Sequence, residues 1–357
     1  MVDAALRAAG HRSARYTSPH LVDLAERFVI DGRRVDRAVL EASAAGLRAA
    51  VDHLLARGEL EAPPTFFEAT TAIAFDLFRT SGVKIAGCEV GLGGRLDATN
   101  VLQPAVTAIT TIGFDHQRYL GDTLMAIAGE KAGIIKRGVP VVVGALPRAA
   151  RDTIEARAAE LGAPLVDASH RHILDRYGPL RLALAGDHQR ANAAVAVRIL
   201  ELLNDQGTAV SDAAVAAGLA EVEWPGRLET RRLPDGREVL LDAAHNADGA
   251  AALRAFLEDA PPRPIVFAAM RDKDVAAMLG TLDAVASAFV MTRASNPRSH
   301  DPSTLADVAR RIRVDRPVLV EPSVDAALAA AWRLSPSIVV AGSIFLLGDV
   351  IEELRGP

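Results

Sequence analysis

Three side chains able to do chemistry fall directly behind, or inside, apolar runs of this sequence. Glu89 closes the run Lys84 to Val90 and opens the glycine-rich stretch Glu89-Val90-Gly91-Leu92-Gly93-Gly94-Arg95-Leu96-Asp97. A carboxylate there suits magnesium, which takes a few hard oxygen ligands together with phosphate oxygens and water, and glycines admit a close backbone. The stretch also reads as a plain strand-to-loop turn, because it is neither GxGxxG nor GxxxxGK(S/T). His116, in Ile112-Gly113-Phe114-Asp115-His116, either ligates a metal or fills a hydrogen-bonded niche. Lys131, in Glu130-Lys131-Ala132-Gly133-Ile134, lies on a solvated helix face or serves the chemistry. It is one of four lysines (Lys84, Lys131, Lys136, Lys273) among 36 arginines.

Elements of two periodicities must position these residues. In the first half Lys84 to Val90, Ala105 to Ile112 and Val139 to Gly144 read as buried strands, and Phe67 to Arg79, Leu120 to Lys136 and Arg148 to Leu161 as covering helices. In the second half Glu238 to Leu241, Pro264 to Ala269, Ala288 to Thr292, Pro317 to Val320 and Ser337 to Ala341 read as strands. They are separated by helices such as Ala247 to Leu257 and Ser303 to Arg313. The alternation predicts an α/β fold in which each half has a mainly parallel sheet, the second a smaller Rossmann-like unit. Helical stretches Asp187 to Leu203 and Asp212 to Val222 lead to Glu223-Trp224-Pro225-Gly226-Arg227, where Pro-Gly breaks any helix. The domain boundary is placed there, giving domains 1–223 and 224–357.

Composition excludes other classes. A length of 357 residues suits two domains, and a formal charge of -5 offers no broad cationic surface for nucleic acid. The single cysteine, Cys88, forms no internal disulfide and no thiolate cluster. No run approaches the roughly 20 apolar residues of a membrane span, and no signal core follows Met1. A soluble cytoplasmic protein is expected.

Taken together, Tyr16-Thr17-Ser18-Pro19-His20-Leu21, the Glu89 to Asp97 run, Asp115-His116 and Glu130 to Ile134 resemble the folylpolyglutamate synthase and dihydrofolate synthase branch of the Mur ligase superfamily. So do Gly186-Asp187-His188-Gln189-Arg190-Ala191-Asn192, Trp224-Pro225-Gly226-Arg227-Leu228-Glu229 and Leu241-Asp242-Ala243-Ala244-His245-Asn246, in the family's order. The resemblance implies a mononucleotide-binding parallel-sheet domain followed by a Rossmann-like domain. It implies a ligase in which ATP phosphorylates the carboxylate of dihydropteroate or a folate, after which the amino group of L-glutamate attacks the acyl phosphate. Phosphorylation comes first because a carboxylate lacks a good leaving group, and magnesium neutralises the charge that develops.

The resemblance also assigns residues. Ser18, Glu89, His116 and Lys131 would hold metal, Lys131 as a carbamate. Thr17, Ser18, Pro19 and His20 would contact the pterin. Asn192 and Gln189 would meet the adenine, and Arg227 the phosphates. Asp242 and His245 would approach nucleotide and glutamate, and Arg298, in Asn296-Pro297-Arg298-Ser299, would pair with glutamate carboxylates. Lys273, in Met270-Arg271-Asp272-Lys273-Asp274, is similar to a family loop near the cleft, and also reads as a solvated turn. Potassium and a monomeric state are family expectations.

The sequence departs from the family in two ways. Ala243 and Ala247 replace a usual glycine and proline. In addition, no lysine follows a glycine, so these residues hold no GxxxxGK(S/T) phosphate loop. The expectation is a chain that begins just after that loop, through a misplaced start or a truncation, with a sheet edge left unpaired. The alternative is a pterin- or nucleotide-binding paralogue without catalysis. A ligase acting on a cell-wall nucleotide fits less well, because the Thr17 to His20 loop and the Glu89 to Asp97 run match the folate branch.

Overall fold

The computed structural model describes residues 1–312 and 316–355, all but the side chain of Arg171. The chain is α/β and divides into two compact units. One holds Met1–Ile112, Leu120–Ala183 and Arg190–Val222; the other holds Gly113–Tyr119, Leu184–Gln189 and the chain from Glu223 onward.

The first unit has two sheets. In the three-stranded one, Val141–Val143 is central and pairs in parallel with Thr107–Ile109 and Leu165–Asp167. Its three β-branched side chains suit a strand covered on both faces, and all three are fully buried. Ile127 and Ala128 of helix Leu124–Ala132 and Ile154 of helix Arg148–Glu160 pack in the same cluster. Burying such an aliphatic side chain stabilises by about 1.5–3 kcal/mol. The four-stranded sheet runs Arg33–Arg34, Phe28–Ile30, Ser13–Tyr16, Ile85–Cys88, with only the last pair parallel. Asp31 and Gly32, at φ 49° and 78°, turn the hairpin; Asp-Gly is the dipeptide that such a turn requires.

Three of the first unit's five strand pairings are parallel, as expected, and the hairpin adds two antiparallel ones. Two expectations need correction here. Ile85–Cys88 is not a buried strand. It pairs on one side only and exposes Ala86 and Gly87. The helix expected from Leu120 to Lys136 is two, Gln117–Leu120 and Leu124–Ala132. Gly121 at φ 100° stops the first, and Thr123 Oγ1 caps the second by accepting the Ala126 N–H.

The second unit is built on a six-stranded sheet in the order Val318–Val320, Ala286–Met291, Arg263–Phe267, Ser337–Ala341, Glu238–Leu241, Glu229–Arg232. Five strands are parallel and the edge strand Glu229–Arg232, not foreseen from sequence, is antiparallel. Phe267, Phe289 and Leu240 pack with Leu253 of helix Ala247–Leu257 and Leu305 of helix Pro302–Ile312. Arg313, where that second helix was expected to end, lies outside the described residues. The parallel strands deliver their carboxyl ends to Asp242, the Met270 to Asp274 turn and the Thr292 to His300 loop. Open α/β sheets bind ligands at those ends.

Candidate active site

In the first unit the Thr17 to Leu21 loop is held by four hydrogen bonds. Thr17 N–H donates to the Arg27 carbonyl at 3.2 Å, Ser18 N–H to Glu89 Oε2 at 2.9 Å, and Leu21 N–H to Glu26 Oε2 at 2.8 Å. Arg27 Nε donates to His20 Nδ1 at 2.9 Å, and burial, with the Arg27 charge, holds His20 below the usual imidazole range. Beneath the loop, Tyr16 is fully buried with its hydroxyl 2.8 Å from Thr70 Oγ1. Ser18 and Glu89, two of the four predicted metal ligands, therefore meet, and their oxygens are of the hard type that magnesium takes. Among the described residues no group of three or more His, Cys, Asp or Glu side chains stands ready for a metal.

The glycines of the Glu89 to Asp97 run have a packing reason. A Cβ on Gly94 would lie 2.9 Å from the carbonyl oxygens of Glu130 and Lys131, and one on Gly133 would lie 2.3 Å from Arg95 Cβ. The two motifs thus touch backbone to backbone. Arg95 N–H donates to the Glu130 carbonyl at 2.9 Å, the Arg95 and Glu130 side chains pair at 3.0 Å, and Asn100 Nδ2 donates to the Gly133 carbonyl at 3.1 Å. Asp97 gathers the loop from inside, its Oδ2 accepting the N–H groups of Gly91 and Leu92. Lys131, half-buried in the last turn of helix Leu124–Ala132, sits where the loop meets that helix.

In the second unit Arg227 rides on a tight turn between Gly226 (φ 73°) and Leu228 (φ 49°). Asp242 holds this turn: Oδ2 accepts the Leu228 N–H at 3.0 Å and Oδ1 the Ala244 N–H at 2.9 Å. Burial raises the Asp242 carboxyl above the ordinary range against the pull of those donors and of Arg227. His245 Nδ1 donates to the Ala243 carbonyl at 2.9 Å, and burial pushes its imidazole down. Lys273 is no solvated turn. Its side chain is 8% exposed, and Nζ lies 2.5 Å from Asp115 Oδ1. Burial pushes Asp115 up, but hydrogen bonds from Lys273 and Asn246 and the Lys273 charge leave it below the usual range.

His116, read from sequence with the first half, belongs to the second unit, as does the buried Gln189. Asn192, three positions further along the same helix, belongs to the first. Arg298 is exposed, and its loop is tied to the Met270 to Asp274 turn by the Arg271 N–H to Arg298 carbonyl bond at 3.0 Å. Asp115, Asn246 and Lys273 are the residues that site prediction passed over. The signal was there in the scarcity of lysine and in the three strand-end loops that carry them.

The second unit, with its parallel sheet and charged loops at the carboxyl ends, is α/β, and the family described as "Mur ligase, glutamate ligase domain" matches residues 226–344. Folylpolyglutamate synthase of Lacticaseibacillus casei is 33% identical over 98% of this chain and 85% of its own length. The probable bifunctional folylpolyglutamate synthase/dihydropteroate synthase of Haloferax volcanii is also 33% identical, but this chain spans only 43% of it. The crystal structure of Mycobacterium tuberculosis folylpolyglutamate synthase complexed with ADP and AMPPCP superposes with a TM-score of 0.90 at 33% identity, covering 100% of this chain and 87% of that one. The chain belongs to the folylpolyglutamate synthase/dihydrofolate synthase family.

Proposed function

We propose that this chain carries the catalytic body of an ATP-dependent ligase that joins L-glutamate to dihydropteroate or to a reduced folate. The observation that carries the reading is the placement of Asp242, His245, Lys273 and Arg298 behind the carboxyl ends of parallel strands in a domain of the glutamate ligase family. The γ-phosphoryl group of ATP passes to the pteroate or folate carboxylate. The glutamate amine then attacks the acyl carbon, a C–N bond forms, and phosphate leaves with the C–O bond electrons.

Each residue has a part in this reading. Ser18, Glu89, His116 and Lys131, the last as a carbamate, would hold magnesium, which supplies charge neutralisation at the phosphoryl group. Thr17, Pro19 and His20 line the pterin loop, whose hydrogen bonds fix its shape before substrate arrives. Arg227, set by the Asp242 turn, binds phosphate, while Gln189 and Asn192 meet adenine. His245 keeps its proton on Nδ1 for the Ala243 carbonyl, which leaves the Nε2 lone pair to take a proton from the glutamate ammonium. Arg298 pairs with a glutamate carboxylate. The setting is cytoplasmic; among the described residues no helix is long and apolar enough to cross a membrane.

A second reading, binding without catalysis, has one observation in its favour: the 357 residues contain no GxxxxGK(S/T) loop. ADP release decides between them. It is measured with magnesium, ATP, glutamate and either dihydropteroate or tetrahydrofolate, on this chain and on a form continued upstream in its reading frame. The ligase reading expects release that needs both co-substrates. Silence in both forms, with ATP or pterin binding retained in calorimetry, establishes the binding protein instead.

A further inference from the structure

The segment Gly113–Tyr119 packs as part of the second unit. One carboxylate does most of the fastening. Asp115 Oδ1 accepts Lys273 Nζ at 2.5 Å, Asp115 Oδ2 accepts Asn246 Nδ2 at 3.1 Å, and His245 Nε2 lies 3.7 Å from Oδ2. Beside it, a Cβ built on Gly113 would meet the carboxylate tip of Asp248, so the loop lies close against the first turn of helix Ala247–Leu257.

The same Oδ1 atom makes a second bond. It accepts the backbone N–H of the next residue, His116, at 2.8 Å. His116 stands at φ 51°, one of three non-glycine residues in the left-handed region among the described residues. That conformation is uncommon for a side chain with a Cβ and persists where surroundings over-determine it. Asp115 Oδ1, anchored by a lysine that is itself 8% exposed, is one of the groups that hold it, and the His116 carbonyl also accepts the Tyr119 N–H at 2.8 Å. A buried ammonium keeps its carboxylate, because losing the partner strands a charge in a poorly solvated place.

We propose that Lys273 is a positioning residue for His116: through Asp115 Oδ1 it locks the left-handed backbone of His116 and thereby aims the imidazole. The inference rests on the reading of His116 as a metal ligand. Lys273 touches no metal. It acts as an outer-shell residue does, by fixing the geometry of a ligand it does not replace.

The test is Mn2+ binding to the full chain, followed by the loss of the free-ion electron paramagnetic resonance signal, with thermal melting alongside. The variants are His116→Ala, Lys273→Met, Lys273→Arg and the double variant Asp115→Asn/Lys273→Met. His116→Ala and Lys273→Met are each expected to weaken Mn2+ binding about tenfold or more, and Lys273→Arg to keep most of it. The double variant carries no stranded charge, so it melts nearer the parent than Lys273→Met does, yet its Mn2+ affinity stays low. Affinity that recovers with melting temperature in the double variant shows a purely structural pair and overturns the proposal. If His116→Ala weakens binding and Lys273→Met does not, the positioning role alone fails. If His116→Ala changes nothing, the metal reading of His116 fails and takes this inference with it.

Discussion

Asp242 spends both carboxylate oxygens on backbone N–H groups, and the farther of the two in sequence is Leu228, fourteen residues earlier, at 3.0 Å. The residue that resemblance puts beside nucleotide and glutamate is thus also the fastening of the turn that presents Arg227. Asp242→Ala orphans two buried N–H groups, each worth about 1–3 kcal/mol. Urea unfolding is expected to show that loss, and calorimetry a weaker ATP affinity, because the Arg227 turn is released. An ATP affinity equal to the parent's would separate Asp242 from Arg227.

The second prediction concerns the floor of the pterin loop. Tyr16 is fully buried, and its hydroxyl lies 2.8 Å from Thr70 Oγ1 and 3.3 Å from Thr71 Oγ1. Tyr16→Phe removes one member of this hydroxyl group without opening a cavity. A loss of about 1 kcal/mol in chemical denaturation is expected, with the fold unchanged by circular dichroism.

Two glycine substitutions should move stability in opposite directions. At Gly94 a Cβ meets the carbonyl oxygens of Glu130 and Lys131 at 2.9 Å, which a backbone cannot yield cheaply. Gly94→Ala is expected to cost about 1–3 kcal/mol and to disturb the seat of Lys131. Gly46, inside helix Arg37–Ala56, has nothing within 4 Å of its Cβ position. Gly46→Ala should stabilise by about 0.5–1 kcal/mol through the helix and the unfolded chain. Melting temperatures that shift the same way in both variants contradict this account.

Acid should weaken the second unit through its buried histidines. His188 is held low by burial and by Arg227 against the pull of Asp187, His245 by burial, and His300 by burial and Arg271. For each, the unfolded chain takes a proton near the ordinary imidazole pKa of about 6.5 while the folded chain does not. Their contribution is complete above that pH and is lost as pH falls below it toward the folded values. The urea midpoint should therefore drop between about pH 6.5 and 5, well above the range of Asp167 in the first unit, whose carboxyl is held at about 2. His188→Gln should flatten part of that slope.

The second unit was largely legible in sequence because its strands are apolar runs set between amphipathic helices. Glu238–Leu241, Ser337–Ala341 and Ala247–Leu257 fall where the pattern puts them. The first unit was less so. Its hairpin strands are two to four residues long, too short for an alternation to declare itself, and only Asp31-Gly32 announced the turn. Of the site, residue types at strand ends were readable. What spacing does not encode is pairing across long separations, and Asp115 and Lys273 stand 158 residues apart.

That separation bears on how the protein can be cut. A fragment beginning at Glu223, where sequence composition puts a natural seam, would leave behind the Gly113–Tyr119 and Leu184–Gln189 pieces of its own unit. Lys273 would then lose its nearer carboxylate and keep only that of Asp272 at 3.7 Å, and the start of helix Ala247–Leu257 would lose the loop beside it. The second unit is thus not a cassette to be transplanted whole by one cut. Grafts, split reporters and circular permutants of this family member have to carry the short upstream loop with them, or supply a carboxylate in its place.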